Sequence, residues 1–362
     1  MKYSLGLGRI SGIKIEIHWT FLILIAWVIF TSLRTNTESQ QIMWSVLLIL
    51  AVFVCVILHE LGHALAAKKF NIKTTSITLL PIGGLAQMEQ IPEKPKEELV
   101  IAFAGPAVNL VIVALLYPMT GISSSSELQE LNSKIDPGNF ITVLMIVNFW
   151  LAIFNLIPAF PMDGGRVFRA LLSFKLGHVR ATQIAASVGQ VLGIFFIFFG
   201  FFYNPFLTFI GIFIYLGAGS ESVYTQTRSM LQGFTVKDVV MHEVPCIDKN
   251  ASLKEAVYQL LNSQNKNFVV TDAGKPVGTL NRDQIIKALH EQNDKILVDQ
   301  IKDNALTYFP TEAPLDKIWR EMQKRKQHVI LVADNGKLEG IVDDENLAEF
   351  ILIHSSTQST AK

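Results

Sequence analysis

His59 and His63 are four residues apart, with Glu60 beside the first, in the stretch Leu58-His59-Glu60-Leu61-Gly62-His63. In a helix that spacing puts both imidazoles on one face, where they can reach one Zn2+ ion, with a carboxylate next to them as general base. The chemistry would be metal-assisted hydrolysis. The alternative is two histidines and a glutamate satisfied in a soluble helix. The run before them, Ile42 to Leu58, carries no charge at all, and ionisable groups that follow such a run are functional by default.

Catalytic zinc usually takes three protein ligands and keeps one position open. The strongest candidate for the third is Asp163, in Asn155-Leu156-Ile157-Pro158-Ala159-Phe160-Pro161-Met162-Asp163-Gly164-Gly165. Two prolines break the helix ahead of it and two glycines follow, so the backbone bends. At membrane depth a bend is tolerated only around protein or a cavity. A Pro-kinked helix that ends in an Asp-Gly turn at the membrane surface is the other reading.

These residues need elements to hold them. The chain has 362 residues, half of them hydrophobic, and a mean hydropathy of +0.36; that is membrane-protein composition. Apolar runs fill the sequence up to about Ser220, and from Glu221 the charge density is that of a soluble domain. The formal net charge is +0 and no long basic block exists, so nothing points to nucleic acid. Cys55 and Cys246 fall in different halves, which argues against a disulfide, and neither has metal-site spacing. The spacing predicts about six spans: Ile15–Leu33, Ile42–Ala67, Val100–Met119, Phe140–Phe160, Ile184–Phe202 and a short Phe206–Leu216. The first is too long for a signal-peptide core and lacks a small-residue cleavage site. Lys2, Arg9 and Lys14, then Lys68, Lys69, Lys73, Lys94 and Lys96, then Arg166, Arg169, Lys175 and Arg180 alternate with loops that hold only Arg34 and Lys134. By the positive-inside rule both termini are cytosolic. The apolar stretch before His59 then crosses about 25 of roughly 30 Å of hydrocarbon, which places the site towards the cytosolic side. His18 and Trp19 read as interface anchors. His178, His242, His290, His328 and His354 show no ligand spacing.

His59-Glu60-x-x-His63 together with Asn155-x-x-Pro158-x-x-Pro161-x-Asp163-Gly164 resembles the paired motifs of the site-2 protease family of intramembrane zinc metalloproteases. Gly105-Pro106-Ala107-Val108-Asn109 resembles that family's Gly-Pro-x-x-Asn element, and Leu80-Pro81-Ile82-Gly83-Gly84-Leu85 its membrane-associated β-hairpin. The resemblance implies that Asp163 is the third zinc ligand and that Asn155 faces the catalytic centre. Glu60 would move the proton of the attacking water, and Asn155 or Asn109 would donate to the oxyanion. For Asn109, packing around a Gly-Pro kink is an equal alternative. The hairpin from Ile77 to Met88 would take an unwound substrate segment by strand addition, or serve simply as a connector.

The soluble half repeats itself. A shift of 62 residues lays Ala333-Asp334-Asn335-Gly336-Lys337-Leu338-Glu339-Gly340 on Thr271-Asp272-Ala273-Gly274-Lys275-Pro276-Val277-Gly278 and aligns Val298 with Val236 and Ala313 with Ala251. Each copy reads as an amphipathic helix (Leu253–Ser263; Leu315–Arg325), an apolar strand, an Asp-x-Gly turn, a second strand and a final helix. This resembles a tandem pair of cystathionine-β-synthase (CBS) domains. Such pairs bind adenosine nucleotides in many proteins and dimerise in others. Here Asn281 and Gln284 in one copy, and Asp343 and Asn346 in the other, stand where the family often has Thr or Ser and Asp. Asp343 would repel a phosphate, which argues against a bound nucleotide.

The expected architecture is a polytopic α-helical membrane domain with a membrane-associated β-hairpin (1–218), a polar linker (219–232), and an α+β CBS pair (233–293 and 294–362). The expected activity is intramembrane zinc endopeptidase on membrane-protein substrates in the bilayer, modulated by the cytosolic pair, with a homodimer through the CBS domains as a candidate assembly. A CBS-bearing transporter or channel would need no His-Glu-His-Asp set. A membrane protease with a glutamate third ligand would need another Glu-bearing helix, and a non-catalytic scaffold would have lost one of these residues.

Overall fold

The computed structural model describes residues 4–35, 37–81, 83–88, 92, 94–121, 135–263, 265–290 and 296–360. Lys2, Ile82, Lys134 and the expected boundary between the CBS domains at 293–294 lie outside them. The chain divides into two compact units, Met1–Val223 and Tyr224–Lys362.

The first unit begins with a hairpin, β1 (Ser4–Ile10) and β2 (Ile13–His18). Ser11 and Gly12 between them both have positive φ, 53° and 87°, the two-residue turn whose twist matches that of paired strands. Two helices follow, α1 (Thr20–Arg34) and α2 (Ser39–Lys69), and then a second hairpin, β3 (Thr74–Leu80) and β4 (Gly83–Met88). β2 and β3 run parallel, so α1 and α2 form the long crossover that parallel strands require. The result is one four-stranded sheet in the order β1-β2-β3-β4. The run from Ile15 to Leu33 is therefore not one span: its first residues are strand, and only Thr20–Arg34 is helix. The sheet packs on α2 through Ile13 and Ile77 against Leu61 and Ala64.

Helix α3 (Pro95–Leu116) carries Pro106 in its interior. Helix α4 (Phe140–Asn155) stops short of the expected Phe160. Residues 156–162 turn back through Ala159 N–H donating to Ile157 O at 2.7 Å and Met162 N–H to Ala159 O at 3.1 Å, before α5 (Asp163–Leu176) begins. The two prolines enforce this break, since each lacks an N–H. Helices α6 (His178–Tyr203) and α7 (Pro205–Leu231) complete the unit, and the unit boundary falls within α7. Among the described residues four helices, α2, α3 with the turn after it, α6 and α7, are long and apolar enough to cross a membrane, and α1 and α4 are shorter apolar helices. The last span is longer than expected, because residues 219–231, read as a linker, continue α7 as helix. Trp27, Phe30, Val111, Leu115, Phe198, Phe201 and Phe206 are exposed on these helices, apolar surface of the kind that faces a membrane or a partner.

The second unit reproduces the repeat strand for strand. β6 (Asn267–Asp272) and β7 (Lys275–Asn281) correspond at a shift of 62 to β9 (Val329–Asp334) and β10 (Lys337–Asp343). Each pair turns on two positive-φ residues, Ala273-Gly274 and Asn335-Gly336, and each carries a bulge just beyond. Short strands β5 (Cys246–Asp248) and β8 (Tyr308–Phe309) add in parallel. Helices α8 (Leu253–Asn262), α9 (Arg282–His290), α10 (Leu315–Arg325) and α11 (Asp344–Thr360) cover the sheets. Leu253, Ile285 and Leu280 fill one core, and Leu315, Ile318 and Ile330 the other.

Candidate metal centre

His59 and His63 lie on the inward face of α2, exposed by 6% and 4%, and Asp163 is the first residue of α5, exposed by 9%. The fold brings the three together. Asp163 Oδ2 stands 3.2 Å from His59 Nε2 and 3.0 Å from His63 Nε2, and the two Nε2 atoms are 3.1 Å apart. Three corners of a tetrahedron around Zn2+, at bond lengths of about 2.0–2.1 Å, are roughly 3.3 Å apart. These three atoms approach that spacing.

The opposite edge of each ring tells what the converging atoms are. His63 Nδ1 donates to the carbonyl of Ile101 at 2.7 Å, because a carbonyl only accepts. His59 Nδ1 meets Asn109 Oδ1 at 2.9 Å, so with the amide oxygen assigned towards the ring it also donates. In a neutral imidazole the other nitrogen is then a lone-pair acceptor. With both rings neutral, two acceptor nitrogens and a carboxylate oxygen point at one spot, which a metal cation or a proton must occupy. The donor set fits zinc, and His63, His59 and Asp163 are the His/Cys/Asp/Glu group among the described residues that could hold a metal ion.

Helix α3 supplies the support. Ile101, Gly105 and Asn109 recur at the helical spacing of one face, and that face lies against the two histidines. A methyl group on Gly105 would collide with His63 Nε2 and come within 2.6 Å of His59 Nε2. Gly62 likewise lets α2 approach α3, since a Cβ there would be 2.9 Å from Ala104 O. After Asp163, Gly164 would drive a side chain into the carbonyls of Leu156 and Ile157, and Gly165 into the backbone of Phe160 and Ala159. The glycine pair thus lets α5 start directly against the turn that precedes it.

Glu60 follows His59 on α2, and β4 crosses it: a Cβ on Gly84 would lie 2.6 Å from Glu60 Cγ and 3.0 Å from Oε1. Of the two asparagines, Asn109 is buried and bonded to His59, whereas the amide of Asn155 donates to Leu151 O of its own helix at 2.9 Å. Sequence reasoning missed Ile101, and it placed Gly84 in the hairpin without its approach to Glu60. Ile101 acts through its carbonyl, which no side-chain pattern reveals, although its place eight residues before Asn109 puts it on the same face.

The model of Peptidase family M50 matches residues 47–136 and 128–200, and that of the CBS domain residues 236–291 and 298–353. The zinc metalloprotease MJ0392 of Methanocaldococcus jannaschii is 34% identical over 348 residues, covering 96% of both chains. The chain belongs to peptidase family M50. As an M50 member it is a zinc metalloprotease with apolar membrane helices and a C-terminal CBS pair. Among solved structures, the site-2 protease from Methanocaldococcus jannaschii is 39% identical and covers 61% of this chain and 95% of its own, at a TM-score of 0.45. The CBS pair of protein MJ0100, solved with 5′-methylthioadenosine and S-adenosyl-L-methionine, is 26% identical and covers 34% of this M50 chain and 98% of its own, at a TM-score of 0.31.

Proposed function

We propose that this chain is an intramembrane zinc endopeptidase that hydrolyses peptide bonds within or near transmembrane segments of membrane-protein substrates, with His59, His63 and Asp163 as the zinc ligands and Glu60 as general base and acid. The observation that carries the reading is the convergence of three buried acceptor atoms on α2 and α5, with Glu60 alongside, inside an apolar helix bundle. When bound, zinc supplies the Lewis acidity that polarises the scissile carbonyl and acidifies a water. Glu60 accepts the water's proton and returns it to the leaving amine. Asn109 holds His59 in the tautomer that presents Nε2, and Ile101 does the same for His63.

A substrate peptide bond inside a helix is already hydrogen-bonded, so the segment must unwind before it is cut. β4 is the last strand of its sheet and passes Glu60 at Gly84, which supports strand addition there as the way the unwound segment is held. The alternating Lys and Arg content of the loops supports cytosolic termini, a site towards the cytosolic side, and a CBS pair in the cytosol that modulates cleavage.

The test is zinc content and cleavage of a tagged membrane substrate by purified protein. Glu60→Gln should keep stoichiometric zinc and lose at least about 100-fold in rate. Asp163→Ala should lose tightly held zinc and activity together. A Glu60→Gln variant that cuts like the wild type would end the catalytic reading.

A further inference from the structure

Arg169, near the middle of α5, is 1% exposed in the interior of the first unit, and no step above uses it. Its Nε donates to Glu98 Oε1 at 2.7 Å, a terminal nitrogen reaches the same oxygen at 2.5 Å, and the other terminal nitrogen bonds Glu221 Oε1 at 2.5 Å. Its guanidinium carbon stands 4.9 Å from the ring centroid of Phe160, which is itself 1% exposed. Four pieces of chain meet at one side chain: α3 through Glu98, α7 through Glu221, the turn before Asp163 through Phe160, and α5 itself.

Burying a guanidinium with two carboxylates gains little stability over an apolar cluster of the same size. What such a group does supply is fixed geometry, since the planar fork donates in only a few directions. The geometry at stake is that of Asp163. It opens α5 just after a bent turn, and a metal site loosens when its ligands are displaced by about 1 Å. Arg169 grips the turn and the helix on either side of Asp163. Its partner Glu98 is on α3, at 2% exposure, three residues before Ile101 and in the same helical row as Ile101, Gly105 and Asn109, which set the two histidines. One helix thereby references all three donors.

We propose that Arg169 is a positioning residue for Asp163, anchored by Glu98 and Glu221, and that it sets the affinity and geometry of the metal centre. The inference rests on the reading of Asp163 as the third ligand.

The test uses full-length protein in detergent, stripped of metal. Zn2+ affinity is measured by competition with a chromophoric chelator, and Co2+ is added alone to record its ligand-field bands. Arg169→Gln should weaken Zn2+ about 10–100-fold and shift the Co2+ bands. Arg169→Lys should recover part of the loss, because an ammonium cannot serve both carboxylates with the same geometry. Glu221→Gln, which releases one anchor, should give a smaller change in the same direction. Should Arg169→Gln fail to fold, Arg169→Lys and Glu221→Gln decide. Wild-type affinity and an unshifted Co2+ spectrum in the folded variants, even with a lowered melting temperature, would overturn the proposal and leave Arg169 a structural residue. Asp163→Ala keeps the two readings apart: if it too leaves affinity and spectrum unchanged, the ligand assignment has failed, and if it alone changes them, only the Arg169 inference has.

Discussion

The side-chain oxygen of Asn109 stands 2.9 Å from Nδ1 of His59, on the edge of the ring opposite the Asp163 carboxylate. This turns the Gly-Pro-x-x-Asn element into a support for a metal ligand. Removing such a partner typically costs 10–100-fold in metal affinity. Asn109→Ala should therefore lower zinc affinity by about that factor, and Asn109→Asp, which still offers an acceptor oxygen, should lose less. Chelator competition checks both. If Asn109→Ala binds zinc like the wild type but turns over slowly, Asn109 is an oxyanion donor instead.

Gly105 makes a sharper prediction. The methyl of Gly105→Ala would fall on the atoms that must converge, His59 Nε2 and His63 Nε2. Overpacking costs about 1–3 kcal/mol in a core, but here the strain is relieved most easily by turning the imidazoles away. The variant should fold and bind less than one equivalent of zinc, measured by elemental analysis after gel filtration. The neighbouring Ala107→Gly serves as control, since it leaves the imidazole-facing row unchanged.

The histidine pair and the 62-residue repeat were legible because each is a local or periodic pattern, whereas Asp163, 100 residues from His63, was assigned through the family resemblance. His59 and His63 share a face by helical spacing, and the CBS strands recur at one shift with their turn residues in register. The N-terminal hairpin was missed although Ile13-Lys14-Ile15-Glu16-Ile17-His18 alternates apolar and polar residues at the period of a strand. The apolar run that follows it absorbed Ile15 and Ile17 into one span. The partners of Arg169 were not legible at all. Glu98 and Glu221 are 71 and 52 residues away, and only the packing of α3, α5 and α7 selects them from the chain's other carboxylates.

Gly84 separates the base from the metal. Its backbone is so close to Glu60 that a Cβ would lie within 3.1 Å of three of its side-chain atoms, and these three are the nearest it would meet. Gly84→Ala should displace the Glu60 carboxylate and lower kcat by at least about tenfold, within the range general-base catalysis supplies. Zinc content should stay at the wild-type level. Loss of zinc would mean instead that β4 supports the ligands, and the division of labour between strand and helix would have to be redrawn.

In the second unit, Asp343 occupies the position where a nucleotide-binding copy would offer a hydroxyl, and its carboxylate is already committed. Oδ1 accepts from the backbone N–H of Asn346 at 2.8 Å, capping the start of α11, and Oδ2 accepts from the buried amide of Asn267 at 3.1 Å. In the other copy Asn281 and Gln284 bond each other's backbone N–H groups at 2.9 and 2.8 Å. Both candidate ligand positions thus serve as helix caps. Asp343→Ala should destabilise this unit by about 1–3 kcal/mol, because it removes a cap and leaves the Asn267 side chain without one of its buried acceptors. Millimolar AMP or ATP should shift the melting of the wild-type protein by less than about 1 °C, since a ligand present at its dissociation constant already adds RT ln 2, roughly 0.4 kcal/mol. A larger shift that disappears in Asp343→Ala would show that the pair binds nucleotide through this carboxylate after all.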